Sequence, residues 1–248
     1  MPDHSSRRLT GGLEEVRAAL RHEGYALTSD RAIGVPEGAR ENLSLRYYNS
    51  DTLHHDPGDY PVDRERARDV IRYTWSGDKA PRQEPFDRIT ITDRAGIRGE
   101  REHSRVQLLK DPEAENLTST LLQLVPPERR QPEGTFGINL FRTYTNVVTT
   151  PHHDSEEFVV LYVIDRIGDG AESYLYSPED VSENGEVLAD PVLTQQLNPG
   201  DIIIFEDSRF KHGATPLLSP PGGSARRDAL VCTFDYFGTY LGQACADM

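Results

Sequence analysis

Cysteine is nearly absent. Cys232 and Cys245 are the only two, both close to the C-terminus, and two thiols so placed make neither a disulfide framework nor a zinc site. Apolar packing or a surface thiol is the reading left to them. Long hydrophobic runs are missing too: no stretch approaches the ~20 apolar residues of a membrane-spanning helix. The opening MPDHSSRRLTGG lacks the apolar run of a secretion signal, so a cytoplasmic location is expected. Positive charge is scarce, with 27 basic residues against 41 acidic and a formal net charge of −14. Such a chain on average repels duplex DNA and anionic membranes. Neither is expected as a partner, and small-molecule chemistry becomes the leading function class. Lysine occurs only at positions 79, 110 and 211, a bias that reads as genomic composition. Internal repeats, heptads, low-complexity tracts and flexible linkers are also lacking.

What is present suits a folded chain: 248 residues, 36% of them hydrophobic and 27% charged, enough for one large core. Leu13, Val16, Ala19 and Leu20 recur at helical spacing between Gly12 and Gly24, predicting a helix over 12–23. Tyr25 to Ala32 reads as a strand. Leu43 to Tyr48 alternates like a strand, Arg64 to Thr74 suggests a helix, and Phe86 to Thr92 alternates again. Asp111 to Val125 reads as a helix stopped by Pro126-Pro127. After Pro132 the texture changes to short strands separated by turn residues. They are Thr135–Val148, His152–Asp154 running into Phe158–Ile164, Glu172–Tyr176, Leu193–Gln196, Asp201–Phe205 and Ala229–Phe237. This succession predicts a mainly β fold with helical decoration, an antiparallel sandwich or small barrel of jelly-roll type. One domain spanning 1–248 is expected, in which an α+β N-terminal portion, 1–131, packs on a jelly-roll core, 132–248.

The chemistry-bearing group is His152-His153-Asp154, with His212 downstream just after a strand. Two imidazoles and one carboxylate on one face of an octahedron suit Fe(II) and leave three positions for other ligands. Strand alternation puts His152 and Asp154 on one face and His153 on the other, which nominates His152 and leaves His153 a bystander. The same tripeptide occurs at His54-His55-Asp56, where it runs into Pro57-Gly58-Asp59 and reads as an exposed turn. Arg226-Arg227 stands ahead of the last strand, and a guanidinium fork near the metal can hold a dicarboxylate cosubstrate.

In this order, His152-x-Asp154, His212 and Arg227 resemble the Fe(II)- and 2-oxoglutarate-dependent dioxygenases. A longer set looks like the bacterial branch that includes L-isoleucine 4-hydroxylase: Phe141-Arg142-Thr143-Tyr144, Pro151-His152-His153-Asp154, Asn198-Pro199-Gly200-Asp201, Asp207-x-Arg209-x-x-His212-x-x-Thr215-Pro216 and Arg227-Asp228. The resemblance covers about the last 120 residues. It implies a double-stranded β-helix, iron bound by His152, Asp154 and His212, and 2-oxoglutarate paired with Arg227, which directly precedes an Asp as in the family. O₂ is the third cofactor implied. Arg142 and Tyr144 share a strand face ahead of the iron motif and are candidates for contact with substrate or cosubstrate. Their bland alternatives are an ion-pair partner and a packed aromatic. Thr215 is a candidate for a hydrogen bond near the metal, or else simply ends a strand. Asp207 and Arg209 are expected to form a structural ion pair.

The activity so implied is oxidation of an unactivated C–H of a free aliphatic L-amino acid or derivative, most simply hydroxylation in a biosynthetic, secondary-metabolic pathway. Oxidative cyclisation to a cyclopropane or aziridine, or desaturation, is the alternative at the same centre. A non-catalytic cupin-like binding module is the alternative from another class, and it needs no complete triad plus arginine. A homodimer is compatible with the N-terminal portion.

Overall fold

The computed structural model describes residues 8–55, 64–77, 79–86, 91–92, 100–101, 106–144, 150–154 and 156–234. Along the chain these form α1 (Leu13–His22), β1 (Tyr25–Ser29), α2 (Ala39–Tyr47), β2 (His54–His55), β3 (Arg64–Thr74), β4 (Arg82–Pro85), β5 (Ile91–Thr92), β6 (Glu100–Arg101) and α3 (Pro112–Leu122). Strands then dominate: β7 (Glu133–Thr143), β8 (Phe158–Ile167), β9 (Asp169–Gly170), β10 (Glu172–Tyr176), β11 (Leu193–Gln196), β12 (Asp201–Glu206), β13 (Lys211–Ala214), β14 (Leu217–Leu218) and β15 (Arg226–Phe234).

The helices begin and end where their chemistry predicts. In α1, Glu14 and Glu15 occupy the first turn and Arg21 and His22 the last, matching the helix dipole. The chain leaves α1 through Gly24 at φ +80°, where a side chain would be strained. In α3 the Asp111 carboxylate accepts from the Glu113 N–H at 3.0 Å and Pro112 takes the first helical position.

An eight-stranded antiparallel sheet runs β1-β12-β8-β15-β7-β3-β2, with β4 also paired to β3. A three-stranded sheet, β11-β10-β13, faces it. On the outer face of the large sheet, Ile71, Ile138, Leu140, Val160, Tyr162 and Leu230 are buried in one cluster with Leu20, Leu43 and Leu121 of the three helices. Cys232 is fully buried in the same cluster, so its reading as a packed residue stands; Cys245 lies outside the described residues. Between the sheets, Val159, Val163, Ile203 and Phe205 pack on Leu175 and Leu193. That apolar seal fills only the β1-β12-β8 end. Two antiparallel sheets closed in this way, with helices on one outer face, make the expected double-stranded β-helix.

Two expectations are corrected. Arg64 to Thr74 is not a helix but β3, paired with β7 along all eleven residues from Arg64↔Thr143 to Thr74↔Glu133. The helix-favouring Arg, Glu and Ala content is overridden by the sheet. Leu43 to Tyr48 is not a strand: it closes α2, which buries Leu43 and leaves Leu45 78% exposed, an outcome strand alternation would not give. Within residues 1–131, β1 and β3 are hydrogen-bonded members of the large sheet. The Phe86 to Thr92 reading lies mostly outside the described residues, apart from β5.

Candidate metal centre and cosubstrate pocket

His152 and His212 are brought side by side by a single antiparallel bridge. Each backbone N–H donates to the other's carbonyl, at 3.1 and 2.9 Å, and the ring centroids lie 4.6 Å apart. Asp154 follows two residues after His152. Its Oδ1 is 3.7 Å from His152 Nε2 and its Oδ2 3.4 Å from His212 Nε2. One donor atom from each of the three residues falls within 4.8 Å of the others, the spread that a single ion can gather. Among the described residues no other such group of three occurs.

The surroundings orient these donors. His152 Nδ1 lies 2.9 Å from the Thr150 carbonyl; a proton donated there leaves the Nε2 lone pair for a metal. His153 is engaged elsewhere, its Nδ1 2.5 Å from the Asp207 carbonyl oxygen. Burial would push the His212 imidazole down, but hydrogen bonds to Asp154 and Asp207 hold it up at about 9. Burial would likewise raise the Asp154 carboxyl, yet the hydrogen bond and charge of His212 keep it below the usual range. Three donors gathered in this way, two imidazole nitrogens and a carboxylate, fit a single cation.

Asp207 was not foreseen in this role. It begins a short 3₁₀ turn, Asp207–Arg209, rather than a strand, and its side chain is 1% exposed. One oxygen accepts from the Asp154 N–H and the other from the Glu156 N–H, both at 3.1 Å, while Oδ1 stands 3.5 Å from His212 Nδ1. A single buried carboxylate thus ties both ligand-bearing segments together. Arg209 does not pair with it; its guanidinium is 3.5 Å from Glu206 instead.

The triad opens on a cavity of about 450 Å³ between the sheets, at the β15-β7-β3 end that the apolar seal leaves unfilled. Arg227 projects into it from β15. The side chain is buried, and neither Nε nor one terminal nitrogen has a hydrogen-bond partner. Burial, and to a lesser degree the charge of Arg166, push this guanidinium down to about 10. A buried charge without a partner costs several kcal/mol, on the order of 3–5, so a pocket that keeps one is shaped for an anion. A dicarboxylate chelating the metal at one end and pairing with Arg227 at the other fits both groups.

Three other candidates are not brought to this cavity. Arg142 donates from Nε and a terminal nitrogen to the two oxygens of Asp228, both at 2.7 Å, and to the Tyr48 carbonyl at 2.8 Å. Strand alternation sends it to the outer face. Tyr144 donates to Glu65 at 2.9 Å. The Thr215 hydroxyl accepts from the Glu172 N–H at 2.9 Å, tying β10 to the end of β13. All three are held by contacts within the protein. Of the upstream tripeptide, His54 and His55 are exposed on β2, and Asp56 lies outside the described residues. The cavity instead recruits Arg64, Arg66 and Arg68 from β3 and Asn139 from β7, together with Glu156. The signal for the arginines was their spacing, every second residue.

A family model described as 2OG-Fe dioxygenase matches residues 49–233. Among solved structures, a bsmA homolog from Methylobium petroleophilum PM1 is similar at a TM-score of 0.74 and 21% identity, over 92% of this chain and 94% of that one. The Fe(II)/(alpha)ketoglutarate-dependent dioxygenase TqaL is similar at a TM-score of 0.67 and 14% identity, over 92% and 88%. IDO from Bacillus thuringiensis is similar at 0.65 and 16%, over 91% and 95%. At these identities the likenesses establish the fold alone. No curated protein matches the chain.

Proposed function

The chain belongs to the 2OG-Fe dioxygenase family, and from that premise we propose that it oxidises an unactivated C–H bond of a free amino acid or a close derivative, with hydroxylation as the outcome. As a member of the family it is an enzyme that uses Fe(II), 2-oxoglutarate and O₂. The observation that carries the reading is the convergence, in one cavity, of His152, Asp154 and His212 with the partnerless guanidinium of Arg227. The motifs shared with the isoleucine hydroxylase branch support the amino-acid class.

His152, Asp154 and His212 would hold the iron and Arg227 the distal carboxylate of 2-oxoglutarate. Iron and cosubstrate, when bound, supply an oxidant by coupling O₂ reduction to decarboxylation of 2-oxoglutarate. The chain's own residues position, and no acid, base or nucleophile is demanded of them. Asp207 sets the direction of the ligands. Val159, Leu161 and Val231 line the inner wall, where apolar side chains would exclude water from a bound cosubstrate. A non-catalytic module has no use for four such groups held in register.

Anaerobic addition of Fe(II) and 2-oxoglutarate tests this directly. A weak visible charge-transfer band is expected, and it is lost in His152→Ala, Asp154→Ala and His212→Ala; its persistence in all three variants overturns the metal assignment. Succinate release against an amino-acid panel then finds the substrate, and the product's mass names the outcome. A gain of one oxygen means hydroxylation, whereas a loss of two hydrogens means desaturation or ring closure.

A further inference from the structure

Resting on the dioxygenase reading, we propose that Asn139 is a cosubstrate-binding residue: its side-chain amide donates to the carboxylate by which 2-oxoglutarate meets the iron, at the end of the molecule opposite Arg227. Asn139 is 9% exposed and lines the cavity that holds the triad and Arg227. Period-two alternation along β7 fixes its direction, because Ile138 and Leu140 on either side are buried in the outer core. Among the described residues its amide makes no hydrogen bond.

The neighbours show that this amide is an exception in its wall. Asn139 registers with Val231 of β15, and Val231 with Leu161 of β8. Both line the cavity and both are apolar, so a valine or leucine on β7 would have continued the row. A buried amide left unpaired carries a desolvation cost that an apolar side chain does not. A ligand that accepts from it removes that cost.

Place decides which end of the ligand it meets. Strand β15 runs from Arg227 towards the triad: Thr233 pairs with Val159, Val159 pairs with Phe205, and the Phe205 ring lies 4.9 Å from that of His212. Asn139 faces Val231, which is nearer to Thr233 than to Arg227, from a strand about 4.8 Å away. The next inward position of β7 towards the triad is Gly137, where a Cβ would stand 2.8 Å from Thr233 Oγ1. Asn139 is thus the last side chain that β7 contributes to the cavity on the way to the metal ligands. Its Nδ2 carries two N–H donors, and a carboxylate there can only accept. A neutral donor sets the direction of that carboxylate and leaves its charge to the metal.

The test titrates Fe(II)-loaded protein with 2-oxoglutarate under anaerobic conditions and follows the visible charge-transfer band. Asn139→Ala is expected to weaken 2-oxoglutarate affinity about tenfold, the loss of one hydrogen bond to a charged group, with the urea midpoint unchanged because no protein partner is lost. Asn139→Asp is expected to weaken it further, since a carboxylate replaces the donor and repels the one at the metal. The band maximum should shift in Asn139→Ala, where the contact is to the chelating group, and hold in Arg227→Ala, which acts at the far end; this reading stands on the alanine variants alone if the aspartate variant does not fold. If Asn139→Ala keeps both the affinity and the band maximum of the unmodified protein, or if Asn139→Asp binds 2-oxoglutarate more tightly than Asn139→Ala, the proposal is overturned. Absence of the band in the unmodified protein is a different failure, and it falls on the dioxygenase reading itself.

Discussion

Arg142 on β7 and Arg227 on β15 lie one residue apart in register, for Arg227 faces Thr143 and Asp228 faces Arg142. That single step sends them to opposite faces of the sheet. Arg142 enters the outer face and forms a fork-to-fork pair with Asp228, whose side chain is fully buried. Its guanidinium is held above its ordinary value, first by that hydrogen bond. Arg227 enters the inner face, finds no partner, and is pushed down by burial. Both residues are arginines near the iron motif with similar burial, and only Arg142 is satisfied within the protein. The informative property of a buried charge is whether the protein itself completes it.

Removing each arginine should therefore have inverse effects. Arg142→Ala leaves Asp228 as a buried carboxylate facing, among the described residues, the weaker approach of Arg226 at 3.6 Å, and is expected to destabilise the fold by about 3–5 kcal/mol. Urea unfolding measures this, and the 2-oxoglutarate affinity of the folded protein should not change. A weakened cosubstrate affinity at full stability would return Arg142 to the pocket. Arg227→Ala, by contrast, is expected to lower 2-oxoglutarate affinity by about a hundredfold, roughly 2–3 kcal/mol of charge-assisted hydrogen bonding. Iron should still bind, and the urea midpoint should be equal or higher, because an uncompensated charge has left the interior. A clear loss of stability would mean that Arg227 is completed by the protein after all.

The same distinction explains what could be read from the chain. The triad was legible because His152-x-Asp154 and His212 are each set by local strand and turn context, while Arg227 rather than Arg226 was singled out by the family resemblance, in which the arginine directly precedes an Asp. The jelly roll was legible from short strands between turn residues. Strand β3 was not, since Arg, Glu and Ala favour helices when taken alone and the partner that overrides them, β7, is distant in the chain. With β3 misread, its arginine row stayed invisible, although an arginine at every second position is what a strand with one basic face requires. The outward turn of Arg142 follows from its alternation with Ile138 and Leu140, whose burial under the helices rather than in the cavity no local pattern encodes. Asp207 was missed for a related reason: its carboxylate acts on a backbone N–H 53 residues earlier, through a turn that the sequence presents as more strand.

Asp207 sharpens the comparison from the side of the negative charges. Like Asp228 it is a buried carboxylate completed by the protein, but its partners are the backbone of the metal loop and the ring of His212. Asp207→Asn keeps one acceptor oxygen and loses the charge. Outer partners of metal ligands typically change affinity by about 10- to 100-fold, and with one contact preserved we expect about tenfold weaker metal binding. Titration of the protein with Fe(II) or Co(II) under anaerobic conditions measures it. A variant whose metal affinity is unchanged while its stability falls would reduce Asp207 to a structural clamp.

The smallest effect is expected at the repeated tripeptide. His54 and His55 are adjacent on β2, so alternation points their rings to opposite faces, and both are exposed at the sheet's edge beside β3. The one polar contact among the described residues is His55 Nδ1 to the Arg64 carbonyl, at 3.2 Å. Nothing there compresses donors as the bridge between His152 and His212 does, and a polar group in water has no unmet cost to be relieved by a ligand. His54→Ala and His55→Ala should each shift stability by no more than about 0.5 kcal/mol and leave the iron content at that of the unmodified protein. Elemental analysis after loading decides it, since a second, weaker metal equivalent that disappears with either histidine would show that exposure alone does not silence the motif.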